Sequence, residues 1–136
     1  MRQALLESKK ALPRCLPNPP VGCVLVKEGS VLARGYTHAP GEFHAEAHAL
    51  SQFSQPMDKV SAYVTLEPCS FFGRTPSCAH ELIRQRIESV YVAICDPHPQ
   101  NRGAGIQILK AAGVKVEVGL LAEEVRAFIE PYLISS

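Results

Sequence analysis

Apolar residues at Ala4, Leu5, Leu6, Ala11 and Leu12 give residues 2–12 the face of a first helix, and Pro13 limits its continuation. The run Leu16-Pro17-Asn18-Pro19-Pro20 has too many prolines for either regular state and reads as a rigid extended loop. Two β-rich runs follow, residues 21–27 and 30–36. The Glu28-Gly29 step between them predicts an antiparallel hairpin. A loop over 37–43 holds Pro40 and Gly41. From His44 the pattern turns helical, with Ala45, Ala47, Ala49, Leu50 and Phe53. Residues 60–66, rich in β-branched and aromatic side chains, read as the next strand. A loop over 67–77, a helix over 78–86 and a buried strand over 89–95 come next. The chain closes with a loop over 96–102, a helix ending near Gly113, a strand over 114–118 and a helix over 122–133.

After the hairpin, strands alternate with helices. That order predicts an α/β domain with a five-stranded mixed sheet covered on both faces, its last three strands parallel through right-handed crossovers. Ligands of such sheets gather at the carboxyl ends of the strands. The chemistry is therefore expected in the loops 37–43, 67–77 and 96–102, in or beside which lie His44, Cys69, Cys78, Asp96 and His98.

Composition narrows the classes. The 136 residues, 46% hydrophobic and 20% charged, suit one globular domain over 1–136 and exclude a disordered tail. A net charge of +1 offers no basic field for nucleic acid. No apolar run approaches the roughly 20 residues of a membrane span, and residues 1–12 lack a signal core. A soluble, cytoplasmic domain is expected. Five cysteines, an odd number, argue for reduced thiols rather than a disulfide framework. Cys23 and Cys95 sit in apolar runs and read as small buried hydrophobes, and Cys15 as a loop thiol without a role. Cys69 and Cys78 differ, because prolines and polar residues surround them.

His44-Ala45-Glu46 opens one helix, and Pro68-Cys69 precedes Cys78. One imidazole and two thiolates form a natural tetrahedral set for Zn²⁺, and three protein ligands leave a position open, as in catalytic sites. Glu46, two residues after the presumed ligand, is placed to accept a proton from water.

The combination H-x-E with P-C-…-C is the signature of zinc deaminases, in which the Glu moves protons and is not a ligand. The runs Pro17-Asn18-Pro19-Pro20-Val21-Gly22-Cys23-Val24-Leu25-Val26-Lys27, His44-Ala45-Glu46-Ala47-His48-Ala49-Leu50 and Tyr63-Val64-Thr65-Leu66-Glu67-Pro68-Cys69-Ser70 resemble the deaminase domain of the riboflavin-biosynthesis deaminase/reductase family. So do Gly73-Arg74-Thr75-Pro76-Ser77-Cys78, Asp96-Pro97 and Gly103-Ala104-Gly105. The resemblance implies a cytidine-deaminase-like three-layer α/β/α sandwich, often oligomeric as a dimer or tetramer. It implies one Zn²⁺ per chain on His44, Cys69 and Cys78, with Glu46 as proton shuttle. The implied reaction releases ammonia from a diaminopyrimidinone ribosylamino phosphate. Asn18, Arg74 and Asp96 fall where family members contact substrate, Arg74 at the phosphate. No reductase domain is expected within 1–136, so reduction would fall to a separate protein.

Two positions depart from the family pattern: Phe71 stands where His is common, and His98 where Asn is common. Both tend to line the substrate pocket. A deaminase for another base or nucleotide therefore stays open, as does a zinc-binding module without turnover, against which the intact Glu46 argues. His48 reads as a packing residue, His38 and His80 as surface residues, and Gly103-Ala104-Gly105 as a tight turn. Phe71 and Phe72 could serve the core or stack on a planar base.

Overall fold

In the computed structural model, residues 1–53, 58–70 and 77–133 are described. The chain runs α1 (Arg2–Lys9), β1 (Gly22–Lys27), β2 (Ser30–Tyr36), α2 (Ala45–Leu50), β3 (Val60–Leu66), α3 (Cys78–Arg84), β4 (Ser89–Ile94), α4 (Ala104–Ala111), β5 (Lys115–Val118) and α5 (Ala122–Ile129). A 3₁₀ turn, Glu130–Tyr132, follows α5, because Pro131 cannot continue an α-helix. The five strands form one sheet in the order β2-β1-β3-β4-β5. β1 pairs antiparallel with both β2 and β3, whereas β3, β4 and β5 are parallel. The expected mixed sheet with an antiparallel hairpin at its start is therefore observed. Since β2 and β3 both oppose β1, they run in the same direction, and α2 carries the chain across β1 from one to the other.

The hairpin closes on Glu28 and Gly29, at φ +50 and +80, the left-handed pair that a two-residue turn between twisted strands requires. Alternation along the strands then sorts side chains to two faces. Cys23, Leu25, Val60, Ala62, Val64, Val90 and Val92 pack with Ala45, Ala49, Leu82 and Leu109 of α2, α3 and α4. A second apolar group joins Leu66, Ala93 and Ile94 to Val125 and Ile129 of α5, with Met1 and Leu5 of the first helical segment against it. The result is three layers. Two glycines set the spacing between them. A methyl group at Gly22 would run into the carbonyl oxygen of Ala4 on α1, and one at Gly35 into that of Ala45 on α2.

Several details differ from the sequence reading. The first helix ends at Lys9. The proline-rich stretch is not extended: Cys15 N–H donates to Ala11 O, Leu16 N–H to Pro13 O and Asn18 N–H to Cys15 O, so successive turns use the carbonyls while proline lacks only a donor. This coil buries Cys15 completely. Cys23 is buried as expected, but Cys95 lies one residue past β4 and is exposed. Gly103 takes φ +89 just before α4, the tight turn expected there. Among the described residues no helix is long and apolar enough to cross a membrane.

The close approach of α1 to β1 generates a stability prediction. Gly22→Ala should cost about 1–3 kcal/mol or more, because the methyl meets rigid backbone rather than a side chain that can turn away. Urea unfolding of the two proteins measures it, and an unchanged midpoint would contradict the tight contact.

Candidate active site

Three chain segments converge at the carboxyl edge of the sheet. His44 is the N-cap of α2, in extended conformation at φ −76, ψ 166. Cys69 lies three residues beyond the end of β3. Cys78 is the first residue of α3, whose N-cap Ser77 accepts a hydrogen bond on Oγ from His80 N–H at 3.1 Å. A backbone bond from Ala79 N–H to Cys69 O at 3.1 Å ties the two cysteine segments together.

His44 Nδ1 lies 3.3 Å from Cys78 Sγ and 4.0 Å from Cys69 Sγ. The three ligand atoms all fall within 4.8 Å of one another. A tetrahedron drawn with zinc–nitrogen and zinc–sulfur bonds of ordinary length has edges of about 3.6 Å, so the set matches a zinc centre in both size and donor type. Among the described residues this is the one such cluster.

The protonation pattern follows from the geometry. Cys69 Sγ accepts hydrogen bonds from the Cys78 thiol and from His44, and also from Cys78 N–H at 3.2 Å, which brings its pKa down to about 4. Cys78, as the proton donor of that pair and buried besides, is pushed well up. His44 is raised, first by its hydrogen bond to Cys69. Glu46, two residues into the same helical turn as His44, is only 4% exposed. Burial, and then the neighbouring Cys69 charge, raises its carboxyl to about 7. A carboxyl poised near neutrality can both take and give a proton.

A cavity of about 280 Å³ opens over these groups, and Asn18, Asp96 and His98 line it together with His44, Glu46, Cys69 and Cys78. Seven of the nine expected site residues thus share one wall. The other two, Phe71 and Arg74, lie outside the described residues. Asp96 Oδ1 accepts from His98 N–H at 3.0 Å and His98 Nδ1 accepts from Gln100 N–H at 3.1 Å, which holds both side chains at the rim.

Other residues were not singled out by sequence. Thr37 and Glu67 also line the cavity, both almost fully buried. Thr37 Oγ1 accepts from Val21 N–H at 3.0 Å, joining the end of β2 to the start of β1 beside Asn18. A glutamate directly between an apolar strand and Pro68-Cys69 was the available signal for Glu67. His48 is a packing residue as expected: its Nδ1 accepts from Tyr36 N–H at 3.1 Å. His38, expected at the surface, instead packs between Tyr36, Phe43 and His48, and its buried Nε2 has no hydrogen-bond partner among the described residues.

Comparison with known proteins decides the family. Residues 1–94 match the cytidine and deoxycytidylate deaminase zinc-binding region. The chain belongs to this family. The expected likeness to riboflavin-biosynthesis deaminase/reductase proteins is also found. A protein of Aquifex aeolicus named riboflavin biosynthesis protein RibD is 44% identical over 97% of the chain. The match takes in only 37% of that protein, so the chain spans little more than a third of its relative's length. A Thermotoga maritima structure titled diaminohydroxyphosphoribosylaminopyrimidine deaminase/5-amino-6-(5-phosphoribosylamino)uracil reductase superposes with a TM-score of 0.90 at 36% identity, covering 97% of this chain and 38% of that one. The Rib2 deaminase of Aspergillus oryzae, solved in complex with DARIPP, gives a TM-score of 0.71 at 28% identity, covering 86% of this chain and 80% of its own.

The buried carboxyl of this deaminase domain has a measurable consequence in the metal-free protein. The folded-state pKa of Glu46 rises from 4.5 to about 7, so the fold favours its protonated form. That contribution to stability is fully present at acid pH and is lost as pH climbs from about 4.5 through about 7. Glu46→Gln, which stays neutral, should therefore gain on the parent progressively across this window. The opposite trend from Cys69 is present in both proteins and cancels in the difference. Denaturant unfolding of chelated protein across the pH range tests this, and a difference that does not grow with pH would contradict it.

Proposed function

We propose that the chain is a zinc-dependent hydrolytic deaminase acting on an aminopyrimidine nucleotide, namely the diaminopyrimidinone ribosylamino phosphate intermediate of riboflavin biosynthesis. The observation that carries this reading is the buried Glu46 carboxyl, raised to about 7, beside a His/Cys/Cys set of zinc size. The names of the matched relatives supply the substrate class.

His44, Cys69 and Cys78 would hold one Zn²⁺ per chain. Bound zinc supplies Lewis acidity that makes water a nucleophile near neutral pH. The rest of the chemistry belongs to the chain. Hydrolytic deamination consumes one water, replaces the ring C–NH₂ by C=O and releases ammonia. Glu46, buried two residues beyond His44, takes a proton from the water and passes it to the departing amine. Asn18, Asp96 and His98 orient the ring, and Arg74 binds the phosphate through its planar guanidinium. Phe71 supplies an aromatic contact to the ring. The 280 Å³ cavity suits a single ring with part of a sugar. We place the domain in the cytoplasm as a dimer or tetramer, its product reduced by a separate reductase domain or protein. The near-neutral charge of +1 favours a small-molecule substrate over nucleic acid.

His98, at the cavity rim where the family commonly carries Asn, favours a second reading in which the zinc chemistry serves a different base or nucleotide. A site missing one hydrogen-bond partner discriminates differently, by as much as roughly 10⁴-fold.

One assay separates the readings: ammonia release from aminopyrimidines and aminopurines, with and without a phosphorylated ribosyl group. The riboflavin intermediate should be turned over best, and its dephosphorylated form poorly. A better rate on another nucleotide would overturn the substrate assignment. Glu46→Gln should retain zinc and lose about 10²–10⁴-fold in kcat. Cys69→Ala and Cys78→Ala should each lose the metal after chelator washing, as read by elemental analysis, and full retention in both would refute the ligand set.

A further inference from the structure

Glu67 is 3% exposed, and among the described residues no cation lies within ion-pair distance of it. Backbone amides compensate it instead. Its Oε1 accepts from Asp96 N–H at 3.1 Å and from Gly103 N–H at 2.9 Å, while Oε2 accepts from Ile106 N–H at 3.1 Å. A buried carboxylate needs such donors, because its desolvation is otherwise uncompensated. The placement of these three donors is what matters. Asp96 opens the loop after β4, and Gly103 and Ile106 belong to the start of α4. One carboxylate therefore closes both ends of residues 96–102, the loop that carries Asp96 and His98.

A second set of contacts links the loop to the zinc-ligand segment. Asn101 Nδ2 donates to Pro68 O at 3.2 Å and lies 3.4 Å from Asp96 Oδ2. Pro68 stands between Glu67 and Cys69, and Gly105 lies so close to its carbonyl that a side chain there would collide with it. The Asp96 carboxylate is thereby fixed relative to Cys69 through the backbone on either side of Glu67.

We infer that Glu67 is a positioning residue: it sets the Asp96–His98 rim against the bound substrate at a fixed distance from the reacting centre. This rests on the proposed deaminase reading and extends it to a residue that acts through the loop rather than on the ring. Both of its oxygens are occupied by backbone donors, so it acts through the substrate contacts that those donors hold in place.

The test uses the zinc-loaded protein. Glu67→Gln keeps the side chain's shape but turns an NH₂ toward at least one backbone N–H, so one of the three bonds is lost. KM for the phosphorylated aminopyrimidine should rise tenfold or more, with kcat within threefold and zinc stoichiometry unchanged. Asp96→Ala should raise KM as well, and the double variant should be no worse than Asp96→Ala alone, since both changes remove the same contact. Amide exchange at Asp96, Gly103 and Ile106 should quicken at least tenfold in Glu67→Gln. If that variant does not fold, Glu67→Asp, with the same charge one methylene shorter, serves for every comparison. An unchanged KM with kcat or zinc falling would reduce Glu67 to a stabiliser of the fold and overturn the inference. Multiplying effects in the double variant, or unchanged exchange, would overturn it too. A parent protein that releases ammonia from none of the aminopyrimidines would sink the functional reading alone, and amide exchange would then decide the Glu67 assignment.

Discussion

Acidic groups gathered at the carboxyl edge of the sheet, Glu46 and Glu67 buried among them, are the constraint around which this structure is built. Cys69, Glu67, Asp96 and Glu46 line one cavity, yet no lysine or arginine side chain pairs with them among the described residues. Their compensation comes from backbone N–H groups that secondary structure leaves free at the starts of helices and in the loops before them. Cys78 N–H at the head of α3 serves Cys69, and Gly103 and Ile106 at the head of α4 serve Glu67. Among the described residues that line it the cavity carries no lysine or arginine, so a divalent metal on the thiolates would be a dominant positive charge there.

Glu46 is handled differently, and the difference suits its task. It is raised by burial and by Cys69, where the thiolate is lowered by its donors. Two neighbouring acids thus sit on opposite sides of their ordinary values. In the proposed deaminase, separation of this kind would suit Cys69 to ligation and Glu46 to proton transfer.

Much of this was legible in the chain. The β-branched and aromatic residues of 60–66, the apolar run over 89–95, the Glu28-Gly29 turn and the alanine-rich stretch after His44 specify strand, hairpin and helix through local chemistry alone. The H-x-E and P-C patterns could be placed at one sheet edge because βα order fixes where loops emerge. What escaped reading depended on tertiary contacts. Cys95 belongs to an apolar run, but β4 stops at Ile94 and leaves it exposed. Cys15 sits among prolines, a loop by composition, yet the coil of turns folds it inward. His38 looks like a surface histidine until Tyr36, Phe43 and His48 close round it. Glu67 was quoted within a motif, but its partners lie 29, 36 and 39 residues away. No local periodicity reports a bond of that span.

The strand order also bears on how the site comes into being during folding. β1 lies between β2 and β3, so the meeting of His44 with Cys69 spans the central strand. The two thiols are nine positions apart in sequence and need only a short loop to meet. The imidazole stands 25 and 34 positions from them and needs the whole three-stranded arrangement. Loop closure alone makes the histidine contact costlier than the cysteine pair by about 1 kcal/mol of chain entropy. The cluster therefore joins one pair close in sequence to a third member that only the registered sheet brings in, so its completeness reports on the completeness of the fold.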